Sequence, residues 1–223
     1  MESIKPLEGT NEKKTASSRR GYLITKRLFD IVMSLLALIV LSPVFLVTAI
    51  AIWIEDRGPA IYVQKRVGQG EKVFSIYKFR SMRTDAEQIH EQMKRECGND
   101  EVSFKLKDDP RVTVVGKIIR KFNIDELPQL LNILSGDMSI VGPRPLPVYE
   151  FEDEKKLYGD KYALRYEAPQ GLTCIWQVSN RAEVSFERRM QMDVEYVRKC
   201  SFGLDIILIV KTGLYAILGK AEY

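Results

Sequence analysis

LFDIVMSLLALIVLSPVFLVTAIAIWI, residues 28–54, decides the architecture of this chain. The run is long enough to enter a bilayer, and Asp30, near its start, is its only charge. Its flanks are basic on both sides, with Arg19, Arg20, Lys26 and Arg27 before it and Arg57, Lys65 and Arg66 after it. Basic flanks mark the cytoplasmic side of a membrane segment. Here they set no direction for a crossing helix, and they suit a segment that enters and returns to the same face. Ser42-Pro43 supplies a turning point: Pro43 removes a backbone hydrogen bond and clashes with the carbonyl of Ile39, while the Ser42 hydroxyl can satisfy a backbone group freed inside lipid. The expectation is a re-entrant helix-break-helix hairpin over residues 22–56. A single spanning helix with a proline kink is the alternative. A signal peptide is a poor reading, because a long polar tail precedes the apolar run and no small-residue cleavage site follows it.

Outward from this segment, residues 1–21 are polar, lack hydrophobic periodicity and are expected to be a disordered tail. Residues 57–223 are expected to form one further domain, since 223 residues suit one domain plus a membrane element. A formal charge of +4, from 34 basic and 30 acidic residues, fits anionic partners such as phosphates or lipid head groups. The balanced acidic content argues against nucleic acid. Cys97, Cys174 and Cys200 are far apart with no C-x-x-C pair, so neither a disulfide framework nor a zinc site is suggested. The one histidine, His90, lies in the polar stretch DAEQIHEQMKRE and reads as a solvated helix residue.

Beyond the turn Arg57-Gly58-Pro59, AIYVQKRV and KVFSIYKFR have the β-branched and aromatic content of two short strands joined through Gly68-Gln69-Gly70. Helices are expected from Thr84 to Cys97, around Val114 to Lys121, and from near Asp125. Phe186, Met190, Val194 and Val197 fall at helical spacing, and DIILIVKTGLYAIL near the end is apolar enough to lie on a membrane surface. The fold class is therefore an α-rich α+β protein with a small β-hairpin and surface amphipathic helices.

The stretch DDPRVTVVGKIIRKFNIDELPQLLNILSGDMSIVGPRP concentrates the chemistry. Pro128 tolerates helix geometry only in the first turn, so Asp125 and Glu126 belong at or near a helix N-terminus. Such carboxylates can simply cap the helix and complement its dipole. The cations Lys78, Arg80, Arg111 and Arg144 suit a polyphosphate instead, and an arginine between Pro143 and Pro145 lies on a restricted backbone. Each could equally be a solvated surface charge, because spacing does not say that the four converge.

KRLFDIV, the Ser-Pro pair, KFRSM, DPRVT, IDELPQLLNILSGDMSIVGPRP and GLTCIWQVSNR, in this order, resemble the monotopic polyprenyl-phosphate hexose-1-phosphate transferases of bacteria. The likeness runs from about Lys26 to the C-terminus. It implies that Asp125 is a nucleophile attacking the sugar-proximal phosphate of a UDP-sugar, giving a covalent sugar-phospho-aspartate and UMP. Undecaprenyl phosphate then accepts the sugar phosphate. Glu126 assists and, with Asp125, belongs to a Mg2+ site; Arg144, Lys78, Arg80 and Arg111 hold phosphate oxygens. Ser42 and Pro43 match the family's membrane-hairpin break. Gln177, Asn180 and Arg181 fall where sugar or nucleotide recognition is expected, although this chain has Ser-Asn-Arg at 179–181 where the pattern often has Asn-Gly-Arg, and Phe186 where a tryptophan is common. UDP-glucose and UDP-galactose are the leading donors.

The resemblance further implies a bacterial inner-membrane protein with a catalytic domain, residues 57–223, on the cytoplasmic face. Membrane lipids are its surroundings, and a homodimer is compatible with such packing. The short polar tail suggests a minimal form without extra membrane helices. A membrane-anchored phosphate- or lipid-binding scaffold is the competing class, yet such a binder gains nothing from the pair Asp125-Glu126.

Overall fold

The computed structural model describes residues 16–89, 109–179 and 184–218. His90, Cys97, Asn180, Arg181 and most of the helix expected over 84–97 lie outside the described residues. Helices α1 (Ala16–Val40) and α2 (Ser42–Glu55) meet at Leu41 with a bend of 60°. Helix α1 thus begins inside the stretch expected to be a disordered tail, where Ala16, Arg19 and Arg20 are good helix formers that extend a helix already nucleated downstream. At the bend, the Ile39 carbonyl lacks the amide that Pro43 cannot supply, and Ser42 Oγ donates to it at 2.8 Å. Among the described residues no single helix is long and apolar enough to cross a membrane, whereas this bent pair has the length and composition together.

The polarity of α1 is inverted relative to a helix of a soluble protein. Lys26, Asp30 and Ser34, spaced four residues apart, are buried, while Leu28, Val32, Leu36 and Val40 are exposed. Lys26 Nζ donates to Asp205 Oδ2 at 2.8 Å, and Asp30 Oδ1 accepts from the Ile140 amide at 3.0 Å. The polar stripe therefore faces protein, and the apolar surface faces outward.

Strands β1 (Ile61–Val67) and β2 (Val73–Phe79) form the expected antiparallel hairpin, in register from Ile61 opposite Phe79 to Val67 opposite Val73. Gly70, at φ 64°, makes the reversal. Helix α3 (Val114–Lys121) starts at Thr113, whose side chain accepts from the Gly116 amide, and Glu55 at the end of α2 accepts from the Val114 and Val115 amides. Helix α4 (Gln129–Ser135) lies along the outer edge of β2. There Asn132 accepts from the Tyr77 amide and donates to the Ser75 carbonyl, covering ladder positions that another strand would occupy.

Strand β3 (Met138–Val141) is followed by β4 (Leu146–Pro147), which joins β1, and by helix α5 (Val148–Tyr158). Strand β5 (Gln170–Thr173) pairs parallel with β3, and the chain closes with α6 (Phe186–Lys199) and α7 (Phe202–Ile217). At the ends of β3 and β5 the backbones touch: a Cβ on Gly142 would meet the Pro169 carbonyl oxygen at 2.2 Å, and one on Gly171 would meet the Gly142 amide nitrogen at 2.1 Å. Only glycine permits this approach, which seats the segment Pro143-Arg144-Pro145. The core lies in patches, one joining Val141 to α6 and α7 and another joining Ile76 to α4 and β3.

Candidate active site

Asp125 and Glu126 occupy a 3-10 turn, Ile124–Glu126, just ahead of α4, with Pro128 at the helix cap position. Asn123 enters the turn at φ 54°, a left-handed conformation that asparagine tolerates. No side chain caps α4, so Asp125 is not spent on the helix end. Both carboxylates are buried. Their surroundings nevertheless differ. Lys78 Nζ donates to Glu126 Oε1 at 3.1 Å, and the Arg144 fork reaches both oxygens of Glu126, Nη1 meeting Oε2 at 3.3 Å. Asp125 Oδ1 has no hydrogen-bond partner among the described residues.

This asymmetry separates the two acids. Burial raises Asp125, the charge of Glu126 raises it further, and Lys78, Arg120 and Arg144 oppose; the outcome is about 6. Burial also works against the charged form of Glu126, but Arg144 and Lys78, by charge and hydrogen bond, hold it well below the usual carboxylate range. Burial in turn lowers Lys78. Glu126 is thus a fixed anion that organises two cations, and Asp125 is the acid with a free lone pair.

Asp125 opens on a cleft of about 710 Å³, the size of a nucleotide-scale ligand site, with Glu126 behind its wall cations Lys78 and Arg144. Lys78, Arg80, Arg111, Asp125, Arg144 and Gln177 all line it, so the cations chosen from sequence do converge. Their engagements differ. Arg80 reaches back to the Asp56 carbonyl at the end of α2, and Arg111 pairs with Asp109 at 2.7 Å. Gln177 Oε1 accepts from the Cys174 thiol. Ser42 and Pro43 are not part of the cleft wall.

Other lining residues were missed from sequence, among them Arg120, Arg165, Trp176, Arg189 and Asp193. Arg120 donates through Nε to Ser81 at 2.8 Å and bears on Asp125 by charge. Its place at the end of an amphipathic helix five residues before Asp125 was a usable signal. The Trp176 ring is within cation–π reach of two guanidiniums, with Arg189 at 5.1 Å and Arg144 at 5.9 Å from its centroid. Nothing local marks Arg189 or Asp193, which come from α6 some sixty residues downstream.

Arg144 sits on a backbone tied at three successive carbonyls. Pro143 accepts from the Gly171 amide at 2.8 Å, Arg144 from Arg165 Nη2 at 2.7 Å, and Pro145 from Arg66 Nη1 at 3.0 Å. Among the described residues no group of three or more His, Cys, Asp or Glu side chains could cage a metal ion. The oxygen chemistry and the unpartnered Asp125 Oδ1 instead suit a hard cation that takes one or two carboxylates and shares phosphate oxygens with a ligand.

A buried acid with an available lone pair, facing a large cleft walled by lysine and arginine, is equipped to attack or bind a phosphorylated ligand. The chain is similar to the exopolysaccharide production protein ExoY of Sinorhizobium fredii, 39% identical over 90% of this chain and 88% of that protein. It is 42% identical to the undecaprenyl-phosphate galactose phosphotransferase of Salmonella typhimurium, over 92% of this chain and 43% of that protein. It is 35% identical to the UDP-glucose:undecaprenyl-phosphate glucose-1-phosphate transferase of Escherichia coli, over 98% of this chain and 43% of that protein. The chain therefore spans most of the first relative and under half of the other two. The sequence model described as bacterial sugar transferase matches residues 21–219, which take in the hairpin, the acid pair and every wall of the cleft, and the chain belongs to that family.

Proposed function

We propose that this chain transfers a hexose-1-phosphate from a UDP-sugar to undecaprenyl phosphate, releasing UMP, as a first step of exopolysaccharide, capsule or O-antigen-type glycan assembly. The observation that carries the chemistry is the contrast within the acid pair, with Glu126 saturated by cations and Asp125 buried with an unpartnered oxygen. In the first half-reaction an Asp125 oxygen attacks the sugar-proximal phosphorus, the bond to the bridging oxygen breaks, and UMP leaves with that electron pair. In the second, an oxygen of undecaprenyl phosphate attacks the same phosphorus and returns the Asp125 carboxylate. One carboxylate thereby splits a reaction between two anions into two displacements.

Arg144 and Lys78 supply positive charge where phosphate oxygens must sit, and Glu126 keeps both cations in place. Arg120 adds a third cation near Asp125; Arg80 and Arg111 shape the wall. A magnesium ion at this site would be held by Asp125, with Glu126 available once Lys78 or Arg144 turns to substrate. Its chemistry when bound is to neutralise charge on the phosphate oxygens.

A site beside a membrane surface can receive a water-soluble donor and a lipid acceptor. The inverted polarity of α1 and the exposed apolar residues Leu46, Val47, Ile50 and Ile54 of α2 support insertion of the hairpin into lipid from the cytoplasmic side. The apolar residues Ile207, Val210, Leu214 and Ile217 of α7 suit its surface. The test is to incubate detergent-purified protein with magnesium, undecaprenyl phosphate and a panel of UDP-sugars, and to quantify UMP and UDP. UMP release from one donor supports the proposal and identifies the sugar. UDP release would mean transfer of the sugar alone, and no nucleotide release from any donor would sink the proposal.

A further inference from the structure

Arg165 and Asp193, in the wall of the cleft, belong to a buried set of charged side chains that reaches the acid pair through Arg144. Arg165 Nη2 donates to the Arg144 carbonyl at 2.7 Å and to Asp193 Oδ2 at 2.8 Å. Arg165 Nη1 donates to the Tyr166 hydroxyl at 2.8 Å, and that hydroxyl donates to Glu154. The side chains of Arg165 and Glu154 are 0% exposed and that of Asp193 is 1% exposed.

Burying these charges is costly, and a well-packed apolar set of the same volume is often as stable or more so. The cost is visible at Asp193, where burial, against the pull of Arg165, raises the carboxyl to about 6. Stability alone therefore does not account for the arrangement. Its link to the acid pair is the carbonyl of Arg144, the middle one of the three tied carbonyls in Pro143-Arg144-Pro145. The flanking prolines restrict the backbone, and the bond from Arg165 fixes the peptide from which the Arg144 side chain departs. An arginine fork works through direction, so a small rotation of that peptide would take both nitrogens off Glu126.

We propose that Arg165 and Asp193 are positioning residues, with Asp193 orienting Arg165 and Arg165 fixing the Arg144 main chain, so that the Arg144 fork stays aimed at Glu126 and at the phosphates of the donor. This role rests on the phosphosugar transfer proposed above. The bland counterpart is that the pair only staples α6 to the turn Ala163–Tyr166. Stapling and positioning differ in one respect: a positioning pair loses its influence once the group it aims no longer has a fork.

The experiment is a double-mutant cycle on UMP release from the preferred UDP-sugar, using wild type, Asp193→Asn, Arg144→Lys and the double variant, each purified in detergent and checked for folding by circular dichroism. Asp193→Asn alone is expected to lower kcat/KM by about 10- to 100-fold, the scale on which misplacement of a positioning group acts. In the Arg144→Lys background the same change should cost no more than about 3-fold, because contacting residues that act as a unit are not additive. Equal losses in the two backgrounds, or full activity of Asp193→Asn, overturn the proposal. Arg165→Lys, which keeps the charge and loses the fork, serves as the second variant and should show the same non-additivity with Arg144→Lys. If neither Asp193→Asn nor Arg165→Lys folds, the pair is a requirement of the fold and the proposal falls. A wild type that releases no UMP defeats the proposed function itself, whereas an active wild type with additive variants defeats only the positioning role.

Discussion

Lys78 Nζ lies 3.1 Å from Glu126 Oε1, which joins the hairpin strand β2 to the acid turn ahead of α4 through one buried ion pair. With Arg144 on the same carboxylate, Glu126 is the anion around which two cations of the cleft wall are arranged. Glu126→Gln keeps the size and one acceptor but removes the charge, leaving two buried cations without an anion between them. Expected are a fall in kcat of about 100-fold or more and a drop in melting temperature, since breaking a buried pair costs about 3–5 kcal/mol. Wild-type UMP release from a folded Glu126→Gln variant would show that Glu126 does not organise the site.

Asp125 predicts an opposite pattern, in which loss of activity comes with a gain in stability. Its carboxyl titrates at 3.8 in the unfolded chain and at about 6 in the folded one. A raised folded value means that the proton binds more tightly to the folded state. The associated stability is fully present below 3.8 and is lost as pH rises through about 6. At about pH 7.5 the charged, buried group therefore costs the fold up to about 3 kcal/mol relative to acid pH. Asp125→Asn avoids that cost. In chelator, thermal melts at about pH 7.5 should place the variant several degrees above wild type, with the gap closing toward pH 4, while UMP release is abolished. A variant less stable than wild type at about pH 7.5 would contradict the assignment of Asp125 as a group held at the expense of stability.

Much of this was legible in the sequence because it depends on local rules. Pro128 placed Asp125 and Glu126 before a helix, the β-branched runs about Gly68-Gln69-Gly70 gave the hairpin, and Val114–Lys121 is a helix with the bounds expected of it. The Ser42-Pro43 break also follows from local geometry. The parallel pairing of β3 with β5 was not legible, because Met138 meets Gln170 across thirty-two residues and short buried strands carry no period of their own. Arg165 and Asp193 were hidden for a related reason: each looks like a surface charge on its own element, and only the packing of α6 against the 163–166 turn buries them together. The inverted face of α1 was hidden as well, since an apolar run with few polar residues does not say which side meets protein.

Arg144→Lys tests the importance of the fork. A lysine retains the positive charge but can offer only a single ammonium to Glu126 and a phosphate where arginine offers two parallel donors. The loss of one charge-assisted hydrogen bond is about 1.5–3 kcal/mol, or about 10- to 100-fold in kcat/KM. If the fork acts on the phosphate being displaced, as proposed, steady-state kinetics across donor concentration should show the effect in kcat as well as KM. A change in KM alone would assign Arg144 to ground-state binding.

Pro43→Ala tests the hairpin. With alanine at 43, an amide becomes available to the Ile39 carbonyl now served by the Ser42 hydroxyl, and the helix can run on from α1 into α2. Residues 20–55 as one straight helix would be long enough to span the bilayer core at 1.5 Å per residue. If Pro43 and Ser42 make the segment return to its own face, Pro43→Ala should shift part of the population to a crossing topology. Single cysteines placed near residue 20 in a background lacking the three native cysteines, probed with an impermeant maleimide in intact cells, report the face. The wild-type position should be protected and the Pro43→Ala position at least partly labelled. Equal labelling from outside in both would mean that the native segment already crosses, and protection in both would mean that the proline is not what turns it back.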